Sequence, residues 1–170
     1  MLAPPRFEGA SRLREARLLA LLIPAGLLGG ALFSQYVGGL YPCEMCYWQR
    51  WPHLAAILVA LGAIALRSRS GPSALLTLLA GFGILASGAI GVFHAGVEQH
   101  WWEGLTTCST AIGGQGGASA LDAIMNAPLV RCDVPAWTLL GISMAGYNAI
   151  ISILAALAVF GLLGKWGRGT

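Results

Sequence analysis

Charge is what this chain has least of. Lysine, arginine, aspartate and glutamate make up 10% of its 170 residues, against about 25% in a soluble domain. That leaves too little polar surface to cover a water-facing globule, and 56% of the residues are hydrophobic. Composition therefore argues for the membrane class. Basic patches are missing as well. The net charge is only +3, and the lysines and arginines stand at segment ends without interleaved aromatics, so nothing supports nucleic-acid binding. The length suits one domain.

Cysteine is almost as scarce. There are four, at Cys43, Cys46, Cys108 and Cys132, and only the first two form a C-x-x-C pair. A second such pair or a His-x-x-x-His is absent, so the usual spacing of a structural zinc site is not met and no metal is expected. Tyr47 stands where covalent c-type haem attachment needs histidine.

Long apolar runs are what the chain does have. Four of them, about 16–37, 46–66, 74–94 and 137–163, each approach the roughly 20 residues that a membrane-crossing helix needs. The second reaches that length only by starting well before Pro52, which draws Cys46 and Arg50 into its first turns. The run 16–37 is too long for a cleaved signal and ends in a poor cleavage site, so it is read as retained. Gly83, Ser87 and Gly91 in the third run have the four-residue spacing that lets helix backbones approach closely.

The arginines orient the spans. Arg6, Arg12, Arg14, Arg17, Arg67, Arg69, Lys165 and Arg168 all fall on one side of a four-span arrangement, and only Arg50 and Arg131 fall on the other. The positive-inside rule makes the first side cytoplasmic. Both termini are then inside, and the segments of about 38–46 and 94–136 are outside. All four cysteines lie in those external segments, the compartment where disulfides persist. Trp101, Trp102, Trp137 and Tyr41 stand where an interfacial aromatic belt belongs. The sequence "SALDAIMNAPLV" reads as a short helix, either one that lies flat on the membrane surface or an ordinary loop helix.

Chemistry concentrates in "YPCEMCYWQRWPH", residues 41–53. Two residues between cysteines allow a short-loop disulfide that exchanges with an incoming thiolate. A helix start or a nearby cation favours the reactive thiolate. Arg50 follows Cys46 by four residues, hence on the same helix face, and its permanent charge suits a thiolate or an anionic ligand. So short a ring is a poor structural staple, whereas closing the 108–132 loop is worth about 3 kcal/mol in the chain-entropy model. His94 stands at the outer end of the third run with Glu98 four residues on. His53 and His100 are expected at the same rim.

These features together resemble the DsbB family of bacterial inner-membrane proteins. The resemblance rests on "PCEMCYWQR" between the first two spans, "VFHAGVEQHWW" ending the third, and a cysteine pair before the fourth. It implies an all-α, integral membrane four-helix bundle with two external, periplasmic loops. It also implies an oxidoreductase that makes disulfides for the periplasm with a quinone (ubiquinone or menaquinone) as cofactor. Cys43 and Cys46 match the pair beside the quinone, with Cys46 facing the ring, and Arg50 matches an arginine that holds it. His94 matches a quinone-side histidine after a one-residue shift. Cys108 matches the cysteine attacked by a thioredoxin-fold, DsbA-like partner, and Cys132 is its mate. The energetics require such an acceptor. A partner near −120 mV lies about 7 kcal/mol from an ordinary dithiol near −270 mV, so a protein disulfide alone does not keep it oxidised. Two other readings remain open from the residues: a four-span scaffold with structural disulfides, and a haem-binding bundle using two facing histidines.

Overall fold

The computed structural model describes residues 5–104 and 130–167. In chain order the elements are α1 (Pro5–Tyr36), α2 (Glu44–Ala65), α3 (Ser70–Glu98), two short strands β1 (Thr138–Leu139) and β2 (Ile142–Ser143), and α4 (Met144–Gly167). Within α1, α3 and α4 lie segments long and apolar enough to cross a membrane, as a multi-pass helical membrane protein requires. The less apolar α2 places Glu44, Gln49, Arg50 and His53 in its first turns.

The helices extend beyond the apolar runs that announce them. The α1 helix begins at Pro5 rather than near residue 16, and α3 spans Ser70–Glu98 rather than 74–94. Hydropathy marks the part of a helix fit for lipid, and the backbone hydrogen-bond ladder continues past it. The fourth helix is the real departure. It starts at Met144, not near Trp137. Residues 138–143 instead form an antiparallel hairpin with Thr138 opposite Ser143 and Leu139 opposite Ile142. Leu140 (φ 52°) and Gly141 (φ 77°) both take left-handed backbone conformations, the requirement of a tight two-residue turn. Ser143 then caps α4, its Oγ accepting the Gly146 N–H at 3.1 Å.

Each helix packs chiefly on two neighbours, so in cross-section they run α1, α2, α3, α4 around a ring, with α1 and α3 nearly diagonal. Small residues permit this closeness. A Cβ on Gly81 would stand 2.6 Å from the Phe160 ring, and one on Gly88 would stand 3.0–3.1 Å from Ile153 and Ser152. The expected stripe of Gly83, Ser87 and Gly91 works in this way but serves two partners. Gly83 lies against Ala56 and the Pro52 carbonyl of α2, while Gly91 lies against Ala145 and Ala149 of α4. Around these contacts the core is Ala20, Ala56, Ala60, Ala80, Ile84, Ala155, Ala156 and Val159.

Candidate redox site

The site lies where the start of α2, the end of α3 and the start of α4 meet. Cys43 is the N-cap of α2, with extended backbone (φ −76°, ψ 173°), and its sulfur accepts the Cys46 N–H at 3.3 Å. Capping bends the chain so that three residues later the second sulfur returns to the first. The sulfurs of these two free thiols are 3.1 Å apart, with Cys43 donating to Cys46. The hydrogen bond to Cys46, and after it burial, push the Cys43 thiol up and keep its proton in place.

Because α2 and α3 run antiparallel through a short connection, the end of α3 returns beside the dithiol. His94 Nε2 is 3.5 Å from Cys43 Sγ. Its other nitrogen, Nδ1, lies 2.8 Å from Gln49 Nε2. The Gln49 amide is oriented by its neighbours. Its Oε1 accepts from Asn148 Nδ2 at 2.8 Å, and its Nε2 also donates to the Met45 carbonyl at 3.2 Å. Gln49 therefore donates to Nδ1, and the neutral ring carries its proton on Nε2, toward Cys43.

The polar chain continues into the bundle. Asn148 Oδ1 accepts from His53 Nε2 at 2.8 Å and from Ser152 Oγ at 3.0 Å. Ser87 Oγ donates to the Gln49 carbonyl at 2.9 Å and accepts from Asn148 Nδ2 at 3.2 Å. Gln49, His53, Ser87, His94 and Ser152 are all buried. His53 and His94 thus turn their rings into the bundle. Gln49, Ser87, Asn148 and Ser152 were missed by sequence reasoning, although buried polar side chains in apolar helices are the signal to seek.

Arg50 points the other way. Its Nη1 donates to Gln35 Oε1 and its Nη2 to the Ala31 carbonyl at 3.2 Å, both on α1, and its guanidinium lies 5.3 Å from the Tyr47 ring centre. Between these walls lies a cavity of about 560 Å³, within the range of small-molecule sites. Cys43, Cys46, Arg50, His94 and Glu98 line it together with apolar residues including Leu27, Leu28, Ala31, Val130 and Val134. Glu98 is buried, with Oε1 3.8 Å from His94 Nε2. Its Oε2 has no hydrogen-bond partner among the described residues.

Cys132 is disulfide-bonded and buried, and packs in one cluster with Cys43, Cys46, Met45, Phe93, Val97 and Val130. Its backbone lies beside the His94 ring. Next to it Arg131 donates from Nε and Nη2 to the two oxygens of Asp133, holding that carboxyl down to about 2. The structure thus unites Cys43, Cys46, Cys132, Arg50 and His94. Cys108 and the expected surface helix in "SALDAIMNAPLV" lie outside the described residues.

The family profile described as "Disulfide bond formation protein DsbB" matches residues 13–162. Among curated relatives, "Disulfide bond formation protein B" of Verminephrobacter eiseniae is 31% identical over 170 aligned positions, covering 90% of this chain and 88% of its own. The protein of the same name from Marinobacter nauticus is 27% identical, covering 87% and 90%. An "Uncharacterized protein RP370" of Rickettsia prowazekii is 28% identical, covering 84% and 83%. No solved structure gives a significant match. With most of its length inside that profile and a buried dithiol at the head of its second helix, the chain belongs to the DsbB family of disulfide-forming membrane proteins.

Proposed function

We propose that this protein reoxidises a periplasmic DsbA-like, thioredoxin-fold dithiol and passes the electrons through two cysteine pairs to a membrane quinone. The observation that carries the reading is the Cys43–Cys46 dithiol opening onto a mostly apolar cavity that Arg50 also lines. Family membership supports redox chemistry of disulfides in a membrane.

The residues fit a flat, apolar ring bearing two carbonyl oxygens. Apolar side chains cover its faces, and Arg50, with two of its five donors engaged on α1, can hold an oxygen. Bound there, a quinone supplies an acceptor for two electrons and two protons. The protein's own steps are thiol exchanges. A partner thiolate attacks the Cys108–Cys132 disulfide at Cys108, and the partner's second thiol resolves the mixed disulfide and leaves as the oxidised protein. The Cys108–Cys132 dithiol then reduces the Cys43–Cys46 disulfide. Cys132 packs beside Cys43 and Cys46, so the second exchange needs little movement. Cys46 faces the acceptor, and His94, held by Gln49, orients Cys43.

In this reading all four helices span the bacterial inner membrane, with both termini cytoplasmic and the cysteine segments periplasmic. The test is quinone absorbance over time in detergent, with a short-chain quinone and a reduced thioredoxin-fold dithiol. The parent should consume quinone and Cys46→Ser should not. Equal rates in the two would overturn the scheme. Cys108→Ser should prevent trapping of a mixed disulfide with the partner, and a complex that survives would move the attack to Cys132.

A further inference from the structure

The two sulfurs of Cys43 and Cys46 and a ring nitrogen of His94 all lie within 4.8 Å of one another, and Nε2 is the nitrogen that faces Cys43. The sequence argues against a metal because a second C-x-x-C pair and a His-x-x-x-His are absent, but the antiparallel return of α3 delivers His94 as a third donor, 51 residues from Cys43. We infer that the reduced protein binds one thiophilic divalent cation of the zinc group through Cys43, Cys46 and His94.

Geometry and donor chemistry both support the site. Tetrahedral zinc with Zn–S near 2.3 Å and Zn–N near 2.0–2.1 Å sets a sulfur-to-nitrogen edge of about 3.6 Å and a sulfur-to-sulfur edge of about 3.8 Å. The Cys43–His94 separation is 3.5 Å, already at that edge. The sulfurs stand 3.1 Å apart, so Cys46 must swing out by about 0.7 Å to reach the zinc geometry. Two thiolates and an imidazole select soft d¹⁰ cations over magnesium or calcium. The fourth position faces the cavity, where Glu98 holds the carboxylate oxygen that lacks a partner among the described residues.

The proton balance is explicit. Capture releases one proton from each thiol, two in all. The imidazole stays neutral, giving up its Nε2 proton and taking one at Nδ1. Gln49 must then turn its amide so that Oε1, not Nε2, meets Nδ1. Oxidation of the pair to a disulfide removes both thiolates and expels the cation, so the site exists in one redox state only. A bound cation in turn withdraws the dithiol from exchange. This binding requires no electron acceptor and stands whether or not the proposed turnover is correct.

The experiment uses the full chain with Cys108 and Cys132 both replaced by serine, so that only the Cys43–Cys46 thiols are present, in detergent, reduced with a phosphine and then freed of it, titrated with cadmium(II) under argon. Sulfur-to-cadmium charge-transfer absorption should saturate at one cadmium per chain. Cys46→Ser should abolish the high-affinity band. His94→Gln should weaken binding at least by the 10–100-fold that loss of an outer partner costs. Gln49→Glu should tighten it, because a carboxylate is the better partner for Nδ1–H. Protein oxidised with diamide should show no band. As a check independent of mutation, cobalt(II) on the unaltered reduced protein should give the intense visible bands of a tetrahedral, sulfur-bearing site. Cadmium affinity unchanged in Cys46→Ser or His94→Gln, or an octahedral cobalt spectrum, would overturn the inference and place any bound metal on other groups.

Discussion

The two halves of the bundle weight packing and hydrogen bonding differently. Toward the free ends of α1 and α4 the helices meet through alanine and glycine, and contact is a matter of volume. Toward the cysteines they meet through Gln49, His53, Ser87, Asn148 and Ser152, and contact is a matter of hydrogen bonds. In lipid, apolar burial gives helices little reason to associate, so close packing and interhelical hydrogen bonds must do so. This chain leans on close packing in the first half and on hydrogen bonds in the second, although Arg12 still bonds the Lys165 carbonyl and Ser73 the Ala63 carbonyl in the first, and Gly91 still packs on Ala145 and Ala149 in the second. The polar half is also where the dithiol and cavity lie, because a hydrogen-bonded network specifies side-chain orientation as well as proximity.

The comparison can be broken in each half. Asn148→Leu should have the largest effect. It removes a partner of Gln49, His53 and Ser152 at once, and each orphaned buried group costs about 1–3 kcal/mol. A loss of about 3 kcal/mol or more is expected in detergent unfolding; a loss under 1 kcal/mol would mean that the network contributes little. Gly88→Val should cost about 1–3 kcal/mol by overpacking against Ser152 and Ile153. Gly26→Ala, with open space around it, should cost nothing in the same assay.

His94→Gln sharpens the contrast by separating chemistry from stability. Turnover with quinone should fall roughly 10²-fold, the cost of misplacing a reacting group by about 1 Å, with little change in the unfolding midpoint. Loss of stability with undiminished turnover would reduce His94 to a packing residue. The smallest effect belongs to the exposed Arg131–Asp133 clasp. Because the folded Asp133 carboxyl is lowered from 3.8 to about 2, its contribution is present above the unfolded value and vanishes as pH falls through about 2. An NMR titration of Asp133 should find its midpoint near 2. Asp133→Asn should restore nothing at low pH and change unfolding at neutral pH very little, as exposed pairs do.

Local features were legible before the fold was known. The C-x-x-C pair at a helix start, with Arg50 one turn beyond Cys46, depends only on helix geometry over a few residues, and the structure keeps both Cys46 and Arg50 on the cavity wall. The helical class and the apolar stretches follow from composition, and three of the four helices carry spans by length and hydropathy. The start of α4 was misjudged because Trp137 to Ser143 is as apolar as the helix it precedes. Hydropathy is blind to the two left-handed residues that turn the chain there, although the Ser143 cap could have been noticed.

By itself, then, the sequence determined a helical membrane protein with a reactive dithiol at one rim, because hydropathy, helix period and cysteine spacing all act over short stretches. The tertiary structure decided what surrounds that dithiol. His94 meets Cys43 across 51 residues and Asn148 meets Gln49 across 99, and both contacts depend on how far one helix slides along another. That register is set by which glycine faces which neighbouring helix, a collective packing outcome that no local pattern encodes.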